Sequence, residues 1–140
     1  MLSSLYNYLF PKKDTRFYYL SLIKETNNTF SIHGLWPQNS KTDYPTFCKK
    51  VKFSIKALEP IMNELNKYWY SKFSKNTEFW KHEYMKHGSC MFCSITEYEY
   101  FDKTLYLYNK AIAQDLTNYY PVKDNKCLIP VDLNFNFIRL

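Results

Sequence analysis

The segment FWKHEYMKHGSC, residues 79–90, gathers His82, Glu83, Lys86 and His87 within six positions of a chain that holds only three histidines. The third, His33, stands in SIHGLWP, residues 31–37. Imidazole can give or take a proton near neutrality, and a carboxylate or ammonium beside it adds local charge. Three kinds of site use such a set: a zinc ligand group, an acid/base centre for phosphate chemistry, or a solvated helix face.

Zinc fits poorly. The spacing is H-E-x-x-x-H, and histidines five apart on a helix are turned by roughly 140 degrees, whereas metal-ligand pairs four apart share a face. Lys86 would also bring positive charge beside a cation. Phosphate chemistry fits better. On a helix His82, Glu83, Lys86 and His87 cover one broad arc of roughly 140 degrees. Cleaving an RNA phosphodiester without a metal takes a base for the 2′-OH, an acid for the leaving 5′ oxygen, and cations for the crowded transition state. Imidazoles suit the first two tasks and Lys86 the third.

Taken singly, each of these residues has a blander explanation as a surface or core side chain. The constellation argues otherwise. The only two glycines, Gly34 and Gly88, each directly follow a histidine, in SIHGLWP and MKHGSC. A chain so poor in glycine keeps it where backbone geometry requires it. Both His-Gly pairs therefore belong to one site.

The elements that must position these residues follow from hydrophobic pattern. RFYYLSLIK (16–24) reads as a buried strand, and TFSIHGLWP (29–37) as a second, with His33 near its end. Residues 38–50 are a polar loop. FSIKALEPIMNELNKYWY carries Ile55, Leu58, Met62, Leu65 and Trp69 at helical spacing. Pro60 either lies in the first turn of that helix or kinks it. SKNTEFWKHEYMKH predicts a helix capped near Asn76 or Thr77 and ended by Gly88. SITEYEYFDKTLYLYNKAIAQDL predicts a long helix opening on a Thr96–Glu99 capping box. The alternation from Val131 to Ile138 predicts a last strand. The expected architecture is one α+β domain over residues 1–140, with helices on one side of an antiparallel sheet.

Composition bounds the function. The net charge of +6 comes almost entirely from lysine and favours polyanions without conferring specificity. Fourteen tyrosines, eleven phenylalanines and three tryptophans mean that large rings fill much of the core. The N-terminal MLSSLYNYLFPKKD lacks the basic start and cleavage site of a secretory signal, and no apolar run is long enough to span a bilayer. The four cysteines, 48, 90, 93 and 127, fit two disulfides or four reduced thiols equally well.

Together, SIHGLWP and FWKHEYMKHGSC resemble the two active-site segments of the ribonuclease T2 family, in the right order and at suitable separation. The resemblance extends over roughly residues 15 to 118, through the first strand and YFDKTLYLYNK. It implies an α+β fold and a metal-independent endoribonuclease, without cofactors. Its substrate is single-stranded RNA, cleaved through a 2′,3′-cyclic phosphate. By the same resemblance His87 is the general base and His33 the general acid. His82 binds phosphate, and Lys86 and Glu83 stabilise or position the transition state. Glu83 would raise the pKa of a neighbouring imidazole and move the optimum towards acid. Trp36, Tyr44 and Gln38 match base-binding positions, although Gln38 stands where many members carry aspartate. Cys48 with Cys90 resembles the family's shared disulfide, worth about 3 to 4 kcal/mol in loop entropy. Cys93 and Cys127 are then left to pair. The family further implies a monomer in a secreted or endolysosomal setting, with no membrane contact. Any protein partner is left open. The chain departs from the family pattern in lacking the Trp-Pro and early cysteines that usually follow the first strand, and it is shorter than most relatives.

Overall fold

A computed structural model describes residues 2–140. Element order is α1 (Leu2–Leu9), β1 (Phe17–Lys24), β2 (Phe30–Gln38), α2 (Met62–Tyr68), α3 (Asn76–Lys86), α4 (Glu97–Ala113), β3 (Val122–Lys123) and β4 (Lys126–Val131). The four strands form one antiparallel sheet in the order β2-β1-β4-β3.

One face of the sheet makes the core. Tyr18, Leu20 and Leu22 of β1 lie beside Cys127, Ile129 and Val131 of β4 and beside Ile32 and Leu35 of β2, all buried. The helices close over this face with Leu65, Trp69, Trp80, Tyr100, Phe101, Leu105 and Leu107. The buried rings also tie elements together through their polar ends, as large amphipathic rings must when removed from water. Tyr100 donates to the Leu35 carbonyl at 2.8 Å and Tyr108 to that of Phe30 at 2.6 Å, so α4 grips β2 at two places. Trp80 donates to the Trp69 carbonyl.

Strands β1 and β2 fall where the short apolar runs place them, and α4 opens on the expected capping box: Thr96 accepts from the Glu99 amide and Glu99 accepts from that of Thr96. Three expectations are corrected. The region 55–69 is not one helix; residues Ile55–Ile61 form a 3-10 segment containing Pro60, and α2 begins only at Met62. Proline lacks the amide that a continuous α-helix would need there. The N-cap of α3 is Lys75, without a side-chain bond, because Asn76 instead accepts from the Ser71 amide and donates to Asn66. The last strand is Lys126–Val131, not Val131–Ile138. Beyond it the Asp132 carboxylate accepts from the amides of Asn134 and Asn136, Phe135 takes a positive φ, and the chain folds back so that Phe137 bridges to Val131. An Asx-type turn overrides the alternation of that tail.

Candidate active site

His33 owes its direction to an irregularity in β2. Leu20 pairs with Leu35 and Leu22 with Ile32, so three residues of β2 oppose two intervals of β1 and the register shifts at this point. A bulge of one extra residue lets both Ile32 and Leu35 face the core while re-aiming the one residue between them that has no partner on β1. His33 is that residue, and its side chain enters a cleft above the sheet edge.

The other four residues come from the last turns of α3. Glu83 is 2% exposed and His87 5%, whereas Lys86 is half-buried and His82 exposed. His87 is the C-cap, its amide bonded to the Glu83 carbonyl, and the chain then tightens into a 3-10 turn, Gly88–Cys90. A side chain at Gly88 would meet the Tyr84 ring at 2.5 Å, so glycine lets that turn pack under Tyr84 and Tyr100.

All eight sequence-predicted polar and base-binding residues, His33, Trp36, Gln38, Tyr44, His82, Glu83, Lys86 and His87, line one cleft of about 500 Å³. Lys41, Lys126 and Phe79 join them. Trp36 occupies the centre: its indole N–H donates to Glu83 Oε1 at 2.9 Å, and its ring stacks on His87 at 5.1 Å and meets His33 edge-on at 5.0 Å. The second carboxylate oxygen of Glu83 lies 3.9 Å from His33 Nε2. The Lys126 ammonium sits 5.8 Å from the Trp36 ring centre. With its ring already engaged by His87 and this ammonium, Trp36 offers less stacking surface than Tyr44, which is 56% exposed. Gln38 is buried and donates to the Ser40 carbonyl, which orients its amide at the cleft wall.

The electrostatics differ from expectation. Burial pushes the Glu83 carboxyl up to about 7, against the Trp36 hydrogen bond and the Lys86 and Lys126 charges. Burial likewise pulls His33 down to about 4, helped by Lys126, Lys86 and His82. His87 falls to about 3 through burial and then Lys86, His33 and His82. Glu83 therefore does not raise its imidazole neighbours. Desolvation of all three groups outweighs the pairing, and a carboxyl that is itself largely neutral in acid has no charge to lend.

Among the cleft residues that sequence reasoning missed is Lys126. It enters from β4, far along the chain from both histidine segments, and its one sequence signal is the Asp124-Asn125 turn that swings it round. Both turn residues have positive φ, at 52° and 61°.

A disulfide joins Cys48 to Cys90. It fastens the loop carrying Tyr44 to the turn just after His87, reinforced by Phe47 N–H to the Lys86 carbonyl at 2.8 Å and Cys48 N–H to Ser89 Oγ at 3.0 Å. Cys93 and Cys127 are not paired. Cys93 is exposed, while Cys127 is buried on the core face of β4. Among the described residues no three His, Cys, Asp or Glu side chains gather as metal ligands.

Gly34 is where the close approach is most demanding. A Cβ there would collide with Glu83 Oε1 and lie 2.6 Å from Trp36 Nε1. Gly34→Ala is expected to part the carboxyl from the indole and lower kcat/KM on RNA by about 10²-fold, the cost of roughly an ångström of misplacement. Circular dichroism should be unchanged. Turnover near that of the unmodified protein would show that the Trp36–Glu83 contact is dispensable.

The fold and cleft define an α+β protein in which a half-buried and a buried imidazole, His33 and His87, lie beside a buried carboxyl. A sequence model of the ribonuclease T2 family matches residues 11–126, and the chain belongs to that family. It is 40% identical over 109 residues to ribonuclease DdI of Dictyostelium discoideum, a match covering 74% of this chain and 48% of that protein. The chain thus spans about half the length of this curated relative. Among solved structures it is similar to the RNase-related protein of Calystegia sepium, with a TM-score of 0.69 and 20% identity over 91% of each chain. It is also similar to a mutant of ribonuclease MC1, from bitter gourd seeds, in complex with 5′-UMP. There the TM-score is 0.70 at 16% identity, over 89% of this chain and 92% of that one. These likenesses establish a shared fold.

Proposed function

We propose that this protein is an endoribonuclease that cleaves single-stranded RNA by transphosphorylation, leaving 2′,3′-cyclic phosphate ends. The observation that carries the reading is the convergence of His33 and His87, from two distant segments, on one cleft with Glu83 and Lys86 between and beside them. His87 removes the proton from the 2′-OH, and His33 protonates the departing 5′ oxygen. His82, at the mouth, and Lys86 neutralise the phosphate as negative charge builds. Glu83, held neutral below about pH 7 by burial, donates its proton as a hydrogen bond to a phosphoryl oxygen instead of adding a repelling charge. Tyr44 stacks the base beside the scissile phosphate, with Trp36 and Gln38 at the wall of that subsite. The need for a 2′-OH nucleophile selects RNA over DNA. The 5′-UMP complex of ribonuclease MC1 supports a nucleotide as the occupant.

The active protonation state is neutral His87 with protonated His33. Activity rises as His87 loses its proton, near pH 3, and falls as His33 loses its own, near pH 4. The profile of kcat/KM is therefore expected to be a bell on the acid side, already falling well before neutrality. Purified protein incubated with RNA containing all four bases, at a series of pH values with chelator present, tests both points. Cyclic phosphate ends and an acid optimum are the expected result. An optimum at or above neutrality would show that burial does not hold His33 and His87 low in the working enzyme, and intact RNA from folded protein at every pH would leave an RNA- or protein-binding member of the family.

A further inference from the structure

Lys123 and Lys126 stand directly opposite each other across the β3–β4 hairpin. Like charges facing each other in an antiparallel pair destabilise the sheet, and the tight two-residue turn leaves them little freedom to separate. The Asn125 carbonyl accepts from the Lys24 amide at 2.8 Å, which ties the hairpin tip to β1. This local repulsion is concentrated at one place. Both lysines line a groove of about 1150 Å³ on the open face of the sheet, together with Tyr19, Tyr119, Tyr120 and Arg139.

The groove is continuous with the active cleft, since Tyr19, Lys126 and Leu128 line both. Three cationic side chains line it against one carboxylate side chain, Asp124. Tyr119 is 72% exposed, with its ring open to stacking. Interleaved rings and cations along a groove suit an unpaired strand, because unpaired bases present their faces while the phosphates meet the charges.

We propose that this groove binds the RNA strand beyond the nucleotides at the scissile phosphate. Lys123 and Lys126 share a backbone phosphate, which relieves their mutual repulsion, and Tyr119 stacks a base further along. The inference rests on the reading of the protein as a ribonuclease. It makes that enzyme one that favours long single strands over dinucleotides.

The test compares kcat/KM on a dinucleotide with that on an RNA of about twelve nucleotides, within the span such grooves bind. The preference for the longer strand is expected to fall about tenfold when Lys123→Gln is combined with Lys126→Gln, and several-fold in Tyr119→Ala. Binding of a non-cleavable 2′-O-methyl strand of the same length, read by fluorescence anisotropy, should weaken in parallel. Its salt slope should shrink by about 0.7, the loss of the one phosphate that the two lysines share on a single strand. Lys56→Gln, at a lysine that lines neither cleft, serves as the charge control and should keep the unmodified values. If the double variant retains length preference, affinity and salt slope, the inference is overturned. If nothing is cleaved but the 2′-O-methyl strand binds less well to the variants, the groove stands and the ribonuclease reading falls.

Discussion

Replacing His87 by alanine is expected to lower kcat/KM on single-stranded RNA by about 10²- to 10⁴-fold, the usual contribution of a positioned general base. His33→Ala should cost a similar amount on RNA, and the two variants separate on a different substrate. A nucleoside 3′-phosphate ester with an aryl leaving group departs without needing a proton. His33→Ala should regain most of its activity there, while His87→Ala should not, because the 2′-OH still has to be deprotonated. Recovery by His87→Ala alone would exchange the two roles, and recovery by neither would deny His33 the acid role. Folding should survive both changes. His87 fills space against Trp36, but its Nδ1 is buried without a hydrogen-bond partner among the described residues, as is that of His33. Removing a ring loses packing and removing an orphaned polar atom recovers part of it, so a destabilisation of about 1 to 3 kcal/mol is expected.

The catalytic candidates in the cleft were legible because chemistry restricts residue types, and two short segments hold all five of them, His33, His82, Glu83, Lys86 and His87. Their geometry was less so. That His33 projects from a bulge is implicit in Ile32 and Leu35, two core residues three apart in a strand whose core residues should be two apart. Strands β1 and β2 follow from short apolar runs and helix α4 from its capping box, and they stand where those signals put them. The tail does not, because the local bonds of Asp132 compete with strand pairing and alternation alone does not register them. Lys126 escaped notice for a topological reason: β4 lies against β1, which brings a distant residue within reach of Trp36.

The imidazole pKa values show the same limit in energetic form. Neighbouring charges can be counted along a helix, but desolvation depends on what the rest of the chain lays over them. Reading Glu83 beside His82 and His87 suggests raised imidazoles. Burying the same groups between α3 and β2 raises the carboxyl and lowers both His33 and His87. Only lowered imidazoles give an acid optimum, since raised ones would carry both limbs of the profile upward, and the two cases can be told apart. If a charged Glu83 supported His33, Glu83→Gln would lower the alkaline limb of the pH profile. With Glu83 already neutral there, the limb stays in place and only the maximum falls.

Reduction of Cys48–Cys90 is expected to remove about 4 kcal/mol of stability, the loop entropy released over a separation of 42 residues. For a domain of this size that corresponds to a fall in Tm of roughly 10 to 15 °C. Thiol titration of the denatured, unreduced protein should find two groups, Cys93 and Cys127, and four after reduction. An unchanged Tm, with four thiols present from the start, would remove the bond from any part in stability. The functional loss should precede unfolding. The bond anchors the loop that presents Tyr44, and Phe47 in that loop holds a left-handed conformation, with φ of 49°, while its ring packs edge-on to His82. A non-glycine residue is kept in that region only by its surroundings. Once Cys48 is released, the loop can relax, and Tyr44 and His82 lose their shared support. In reducing buffer below the new Tm, KM for RNA should therefore rise several-fold while kcat, set by His33, Glu83 and His87, changes less. A loss confined to kcat would instead mean that the disulfide acts through the turn that follows His87.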